Sequence, residues 1–197
     1  MKELLKRYPA LTTAETAIKE AVRLIIDTYE KGGKLLLCGN GGSEADCDHI
    51  AGELLKGFLL KRTVYDSRIP EEIRGYLQGA LPAISLSAPT AALTAFMNDV
   101  EPSMVYAQLL YGYAKENDLL VALSTSGNSE NVLNAARVAK AIGIKVLSLT
   151  GEKESRLTPL SDVSIRVPET ETYKVQELHL PVYHYLCAAV EKHFFGK

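Results

Sequence analysis

Twice in this chain an apolar run of strand length stops at a turn of Gly, Asn and Ser and passes at once into a segment with helical spacing. In the first copy Lys34–Cys38 leads into Gly39-Asn40-Gly41-Gly42-Ser43 and a helix from about Glu44. In the second, Leu119–Leu123 leads into Ser124-Thr125-Ser126-Gly127-Asn128-Ser129 and a helix from about Glu130. Such a junction leaves the backbone N–H groups of the helix's first turn facing outward, where the helix dipole also favours negative charge. Each copy is a seat for an anion, and two in one chain point to a phosphorylated ligand. Dinucleotide spacing fails, because Glu44 stands where a G-x-G-x-x-G fingerprint needs its third glycine and would oppose a pyrophosphate. The P-loop fails too, since neither turn ends in Gly-Lys-Ser/Thr. The hydroxyls of Ser43, Ser124, Thr125, Ser126 and Ser129 instead suit neutral donors around one terminal phosphate. The competing reading of Ser-Gly-Asn-Ser is a plain turn followed by an N-cap.

The rest of the chain alternates in the same manner. Thr12 and Glu15 are spaced as a capping box before a helix over about 13–30, whose stripe is Ala14, Ile18, Ala21, Ile25 and Thr28/Tyr29 and which ends at Lys31-Gly32-Gly33. Further strands are expected at 81–87, 145–150 and 163–167. Helices are expected at 91–97, 104–115 and 130–142, briefly around 155–160, and over about 173–195. The long connection from Leu59 to Gly79 has one candidate helical turn at Pro70–Arg74, and its Lys61, Arg62, Arg68 and Arg74 read as solvated. Strands that are apolar throughout belong to a sheet covered on both faces. The expectation is therefore an α/β fold: a single domain over 1–197, with a three-layer, open, five-stranded parallel sheet in flavodoxin-like order 2-1-3-4-5. That order makes the first and third strands neighbours at the switch point, so both Gly/Ser turns would face one crevice.

Composition removes several classes. At 197 residues, 47% hydrophobic and 23% charged, the chain can bury a sizeable core. Its 22 basic and 24 acidic residues give a net charge of −2 with no basic block, so no nucleic-acid partner is expected. Cys38, Cys47 and Cys187 lack CxxC spacing and read as packing residues of a reducing compartment. No apolar run reaches the ~20 residues of a membrane span, and Met1-Lys2-Glu3 does not open a signal-peptide core, so no membrane contact and a cytoplasmic location are expected.

The helix after the first turn carries His49 and Glu53 four residues apart, about 40° around its axis, so both side chains reach one point. Alone, such a pair is also an ordinary surface ion pair. Together with Gly39–Ser43, Ser124–Ser129, and Gln176-Glu177-Leu178-His179 followed by His184, it resembles the sugar isomerase (SIS) domain. More narrowly it is similar to the phosphoheptose isomerases, which convert sedoheptulose 7-phosphate to D-glycero-D-manno-heptose 7-phosphate. The resemblance runs in order from about Thr13 to Phe195. It implies a zinc ion held by His49, Glu53, Gln176 and His184, and two nitrogen with two oxygen donors suit that metal. It also implies an aldose–ketose isomerisation through a cis-enediol, with Glu53 as base and His184 as acid. Substrate contacts by resemblance and by the two anion seats are Asn40, Gly41, Gly42, Ser43, Asn98, Asp99, Ser124, Thr125, Ser126, Ser129 and Gln176. A homotetramer with sites shared between adjacent subunits is implied as well. His179 reads as packing and His193 as a surface residue.

Three features depart from the family pattern: Lys56-Gly57 where many relatives carry an Arg, a long Thr63–Gly79 connection, and Pro181 inside the last helix. They leave open an isomerase or lyase acting on another sugar phosphate. A non-catalytic SIS regulator or adaptor is the remaining alternative, and retention of all four candidate metal ligands favours an enzyme over it.

Overall fold

The computed structural model describes residues 1–196. Five strands, β1 (Leu35–Cys38), β2 (Ala83–Ser85), β3 (Leu119–Leu123), β4 (Lys145–Thr150) and β5 (Val163–Arg166), form one parallel sheet in the order β2-β1-β3-β4-β5. This is the order expected from the alternation of strands and helices. The helices are α1 (Lys2–Arg7), α2 (Glu15–Glu30), α3 (Gly42–Leu55), α4 (Glu71–Arg74), α5 (Thr90–Asp99), α6 (Val105–Tyr113), α7 (Glu130–Ala141) and α8 (Thr172–Phe195).

Successive strand residues point to opposite faces, and both faces are covered. Leu35, Leu37, Leu119, Val121, Leu123, Leu147 and Leu149 pack with the apolar stripes of α2, α3 and α8. Leu36, Cys38, Leu120, Ala122 and Val146 pack on the other side with α6 and α7. Every residue of β1 and β3 is therefore buried, which accounts for their uninterrupted apolar sequence. What matters most for function is that α3 and α8 share a face and touch. His49 of one helix and His184 of the other, more than a hundred residues apart, come side by side, with ring centroids 5.0 Å apart.

Two expectations are corrected. The capping box does not form: Pro9–Ala14 is a 3-10 helix running directly into α2, the Thr12 hydroxyl donates to Pro9 O at 2.7 Å, and Glu15 pairs with Lys19 at 2.6 Å. Tyr8-Pro9 starts the turn early, so Thr12 sits inside it instead of before α2. Arg62 is not solvated. It is 1% exposed, because Glu191 of α8 offers its guanidinium a carboxylate inside the protein. Arg68 on the same connection does lie in solvent, paired with Asp66 at 2.6 Å. Pro181 does not end α8, which continues through it to Phe195. Cys38, Cys47 and Cys187 are free and buried. No helix among the described residues is long and apolar enough to cross a membrane.

Candidate active site

The two Gly/Ser turns follow β1 and β3, which are hydrogen-bonded neighbours, so they meet at the carboxyl edge of the sheet. They are tied together across the crevice by a reciprocal amide pair. Asn40 Nδ2 donates to Asn131 Oδ1 and Asn131 Nδ2 donates to Asn40 Oδ1, both at 2.9 Å. Neither α3 nor α7 has a side-chain cap, so the donors of both first turns stay open to a ligand. The acidic residues in those turns are engaged elsewhere. Glu44 accepts from the Ser87 hydroxyl, and Glu130 pairs with Arg156 and Arg137, which hold its carboxyl below the usual carboxylate range.

Within the first turn, Gly41 has φ +57° and Ser43 N donates to Asn40 O at 3.1 Å, while Tyr106 OH anchors Gly39 O. Within the second, Gly127 has φ +64° and its N donates to Ser124 O at 3.0 Å. The Ser124 and Ser129 hydroxyls are 3.0 Å apart, and Asn128 N donates to Ser126 Oγ at 3.2 Å. Ser126 is exposed, Thr125 and Ser129 are half-buried, and Ser43 and Ser124 are buried. Thr125, Ser126 and Asn128 also line a cleft of about 250 Å³ with Gly151–Glu154 and Glu169-Thr170.

Beside the first turn, α8 lays the Gln176 amide against Gly42, so closely that a Cβ there would lie 2.7 Å from Nε2 and 2.8 Å from Oε1. Two turns further along both helices, His49, Glu53 and His184 come together. His49 Nε2 is 3.3 Å from Glu53 Oε1, and the His49 and His184 rings stack edge to face with centroids 5.0 Å apart. Phe58 covers the other side of His184 with ring centroids at 5.5 Å. Burial, and then His49 beside it, push the His184 imidazole below its ordinary value, against the opposite pull of Glu53. Lys56 donates to Glu53 Oε2 at 3.0 Å.

Two imidazoles and a carboxylate, with the Gln176 amide oxygen as a further donor on α8, are the side chains that hold a borderline divalent cation. The donor types fit. As the residues stand, Glu53 is shared between His49 and Lys56, and among the described residues no three His, Cys, Asp or Glu side chains are placed closely enough to hold a metal ion between them.

Among the described residues, Asn98 and Asp99 make no hydrogen bond to either turn. They are exposed at the end of α5, and Asn98 Nδ2 donates to Asp99 Oδ1 at 2.8 Å. His179 is fully buried, with its Nε2–H donating to Thr150 O at 3.3 Å, and His193 pairs with Glu30 at 2.9 Å. Sequence reasoning passed over Asn131, Asp46 and Tyr183. Asp46 stands at three and seven residues before His49 and Glu53, on the same face of α3, which is a legible signal. Asn131 and Tyr183 gave none.

Paired anion seats at the switch point of this sheet define the SIS class, and SIS domain profiles match residues 85–189 and 1–74. Compared with known proteins, the chain is 40% identical to the phosphoheptose isomerase of Helicobacter pylori strain P12 over 196 residues, covering 100% of this chain and 93% of that protein. The phosphoheptose isomerase structure from Neisseria gonorrhoeae superposes with a TM-score of 0.78 at 29% identity, covering 97% of this chain and 96% of that one. That from Francisella tularensis gives 0.76 at 28% identity, covering 97% of each chain. The chain belongs to the phosphoheptose isomerase family.

Proposed function

We propose that this protein interconverts sedoheptulose 7-phosphate and D-glycero-D-manno-heptose 7-phosphate, with a zinc ion held by His49, Glu53, Gln176 and His184. The observation that carries this reading is the meeting of His49 and Glu53 of α3 with His184 of α8, along the same helix pair that begins at the Gly42/Gln176 end of the first anion seat. From Gly42 to His49 is seven residues of helix, about 10 Å. That spacing supports a long-chain sugar held by its phosphate at the turns and worked on at its far end.

The reaction moves one proton from C1 to C2 and another between the two oxygens. Glu53 takes the C1 proton of the ketose and returns it to C2. His184 gives a proton to the C2 oxygen and receives the one leaving the C1 hydroxyl, so that C1 becomes the aldehyde. Burial lowers the His184 pKa and so favours the neutral ring; with one nitrogen turned to the ion, the other carries the N–H that is given and, once it is given, the lone pair that receives. The bound ion would polarise the carbonyl and stabilise negative charge on the neighbouring oxygens. Asn40, Gly41, Gly42, Ser43, Ser124, Thr125, Ser126, Ser129 and Gln176 hold the phosphate and hydroxyls. Asn98 and Asp99 would join them across a subunit boundary in a homotetramer. Support for such an assembly comes from α5, which buries none of its residues in the protomer, and from exposed Leu59, Tyr65 and Tyr76 on the long connection.

The test is incubation of the purified protein with sedoheptulose 7-phosphate beside pentose and hexose phosphates, following aldose and ketose by NMR, with Glu53→Gln as control. Conversion of the heptose phosphate, reduced about 10²–10⁴-fold in the variant, is expected. Conversion of a different sugar phosphate alone would transfer the activity to that substrate. Phosphosugar binding without turnover would make the protein a regulator.

A further inference from the structure

His49 has two ring nitrogens, and only one of them faces the reacting groups. Nε2 lies 3.3 Å from Glu53 Oε1, while Nδ1 lies 2.9 Å from the hydroxyl of Tyr183, a residue of α8 that is 1% exposed. That hydroxyl is also 3.1 Å from Asp46 Oδ1, on the same face of α3 as His49. A phenol has one proton to donate, and an ionised carboxylate can only accept. The Tyr183 proton therefore goes to Asp46, and the phenol oxygen is left to accept from His49 Nδ1–H.

We propose that Tyr183, held by Asp46, is a positioning residue that keeps a proton on His49 Nδ1, so that Nε2 is the nitrogen offered to Glu53 and His184. The consequence is electrostatic. An unprotonated Nε2 facing a carboxylate oxygen at 3.3 Å puts two acceptors face to face, an arrangement that is satisfied only by a proton or a cation between them. The other tautomer would place an N–H there, hydrogen-bond Glu53, and block both uses. Tyr183 adjoins His184 in sequence and the two rings lie 5.0 Å apart, so one turn of α8 supplies both the facing imidazole and the group that orients its partner. No second bond competes for the Asp46 carboxylate among the described residues, since its other oxygen, Oδ2, is buried and has no partner.

The consequence for metal binding rests on the function proposed above, but the tautomer does not. Nitrogen-15 NMR of the four imidazoles in the chelator-treated full-length protein at pH 8 reads the tautomer directly, and zinc competition against a chromophoric chelator reads the consequence. His49 is expected as Nδ1–H in the wild type. Tyr183→Phe should shift it to Nε2–H and weaken zinc binding about 10–100-fold, as loss of an orienting partner commonly does. Asp46→Asn, whose amide can donate to the phenol and release its proton toward His49, should populate Nε2–H without removing any ring. A wild-type ring in the Nε2–H form, or variants that both keep the wild-type tautomer, overturn the proposal. A wild type that binds no zinc and converts no heptose phosphate would overturn the functional reading instead, with the tautomer result still standing.

Discussion

Arg62 and Glu191 form an ion pair of 2.8 Å between Nε and Oε1 with side chains 0% and 1% exposed. The pair is also a brace for the site. Arg62 Nη2 and Nη1 donate to Glu53 O at 2.9 Å and Leu54 O at 2.6 Å, satisfying carbonyls at the open end of α3. Glu191 accepts from Phe58 N, Leu59 N and Leu60 N at 2.7, 2.8 and 3.2 Å, fixing the start of the long connection. Burial would raise the Glu191 carboxyl, but these donors outweigh it and hold the group below its ordinary value.

Breaking this pair strands a charge in the interior. Arg62→Met should cost about 3–5 kcal/mol, which at this chain length lowers the melting temperature on the order of 10 °C. The backbone of Glu53 loses a partner in the same step, so kcat should fall even at temperatures where the variant is folded. Thermal melts at fixed protein concentration and initial rates at 20 °C measure the two effects separately. Unchanged melting would mean that the three backbone donors satisfy the Glu191 carboxylate without Arg62.

His179 gives stability a pH dependence. Burial, partly offset by the bond to Thr150 O, lowers its pKa from 6.5 to about 4, and its Nδ1 is buried with no partner among the described residues to accept a proton's charge. Below 6.5 the unfolded chain binds a proton that the folded chain refuses. The contribution is whole above that value and is lost as pH falls toward 4. At pH 4.5 the loss is on the order of 2–3 kcal/mol. His179→Gln keeps a donor for Thr150 O and removes the titration. Urea denaturation at pH 7.5 and 4.5 should show the wild type losing that much more stability than the variant, other titrating groups being common to both.

The strands and both turns were legible because local chemistry declares them: apolar runs in β1 and β3, then glycines at positive φ where the chain turns. Sheet order followed from the alternation, and the neighbouring placement of the turns followed from sheet order. His49 and Glu53 declared themselves by helical spacing, whereas Gln176, His184, Asn98 and Asp99 rested on resemblance. Of these, His184 lies beside the α3 pair, Gln176 lies two turns earlier against Gly42, and Asn98 donates to Asp99. Arg62 was misread because a buried guanidinium is identified by its partner, and Glu191 lies 129 positions away with no spacing to connect them. Tyr183 was invisible for the same reason: on α8 it is one more aromatic among apolar residues, until α3 is seen to bring Asp46 and His49 against it.

Gly127 is required by both backbone and space. Its φ is +64°, and a Cβ would lie 2.0 Å from Ser155 Oγ and 2.5 Å from Ser155 Cβ. Gly127→Ala should lose about 1–3 kcal/mol and, on the proposed binding of the phosphate, not the reacting carbons, at this turn, raise KM for the sugar phosphate more than it lowers kcat. Adding Ser155→Gly removes the collision but not the strain. Denaturation and steady-state kinetics on both variants should therefore show partial recovery; full recovery would mean that the left-handed backbone costs nothing here.

Gly42→Ala separates binding from folding. Gly42 has no positive φ, so alanine meets no backbone strain there, and alanine is the better helix former in the first turn of α3. What its methyl meets is the end of the Gln176 side chain, 2.7–2.9 Å away, which is flexible enough to move. The variant should melt within about 2 °C of the wild type, while the amide is pushed out of the position between the anion seat and His184. If Gln176 contacts the substrate and holds the metal, KM should rise and zinc affinity should fall about tenfold or more, and Gln176→Ala should do the same with no further loss when the two are combined. Additive losses in the double variant would show instead that the methyl acts on the bound phosphate directly, leaving Gln176 as a packing residue of α8.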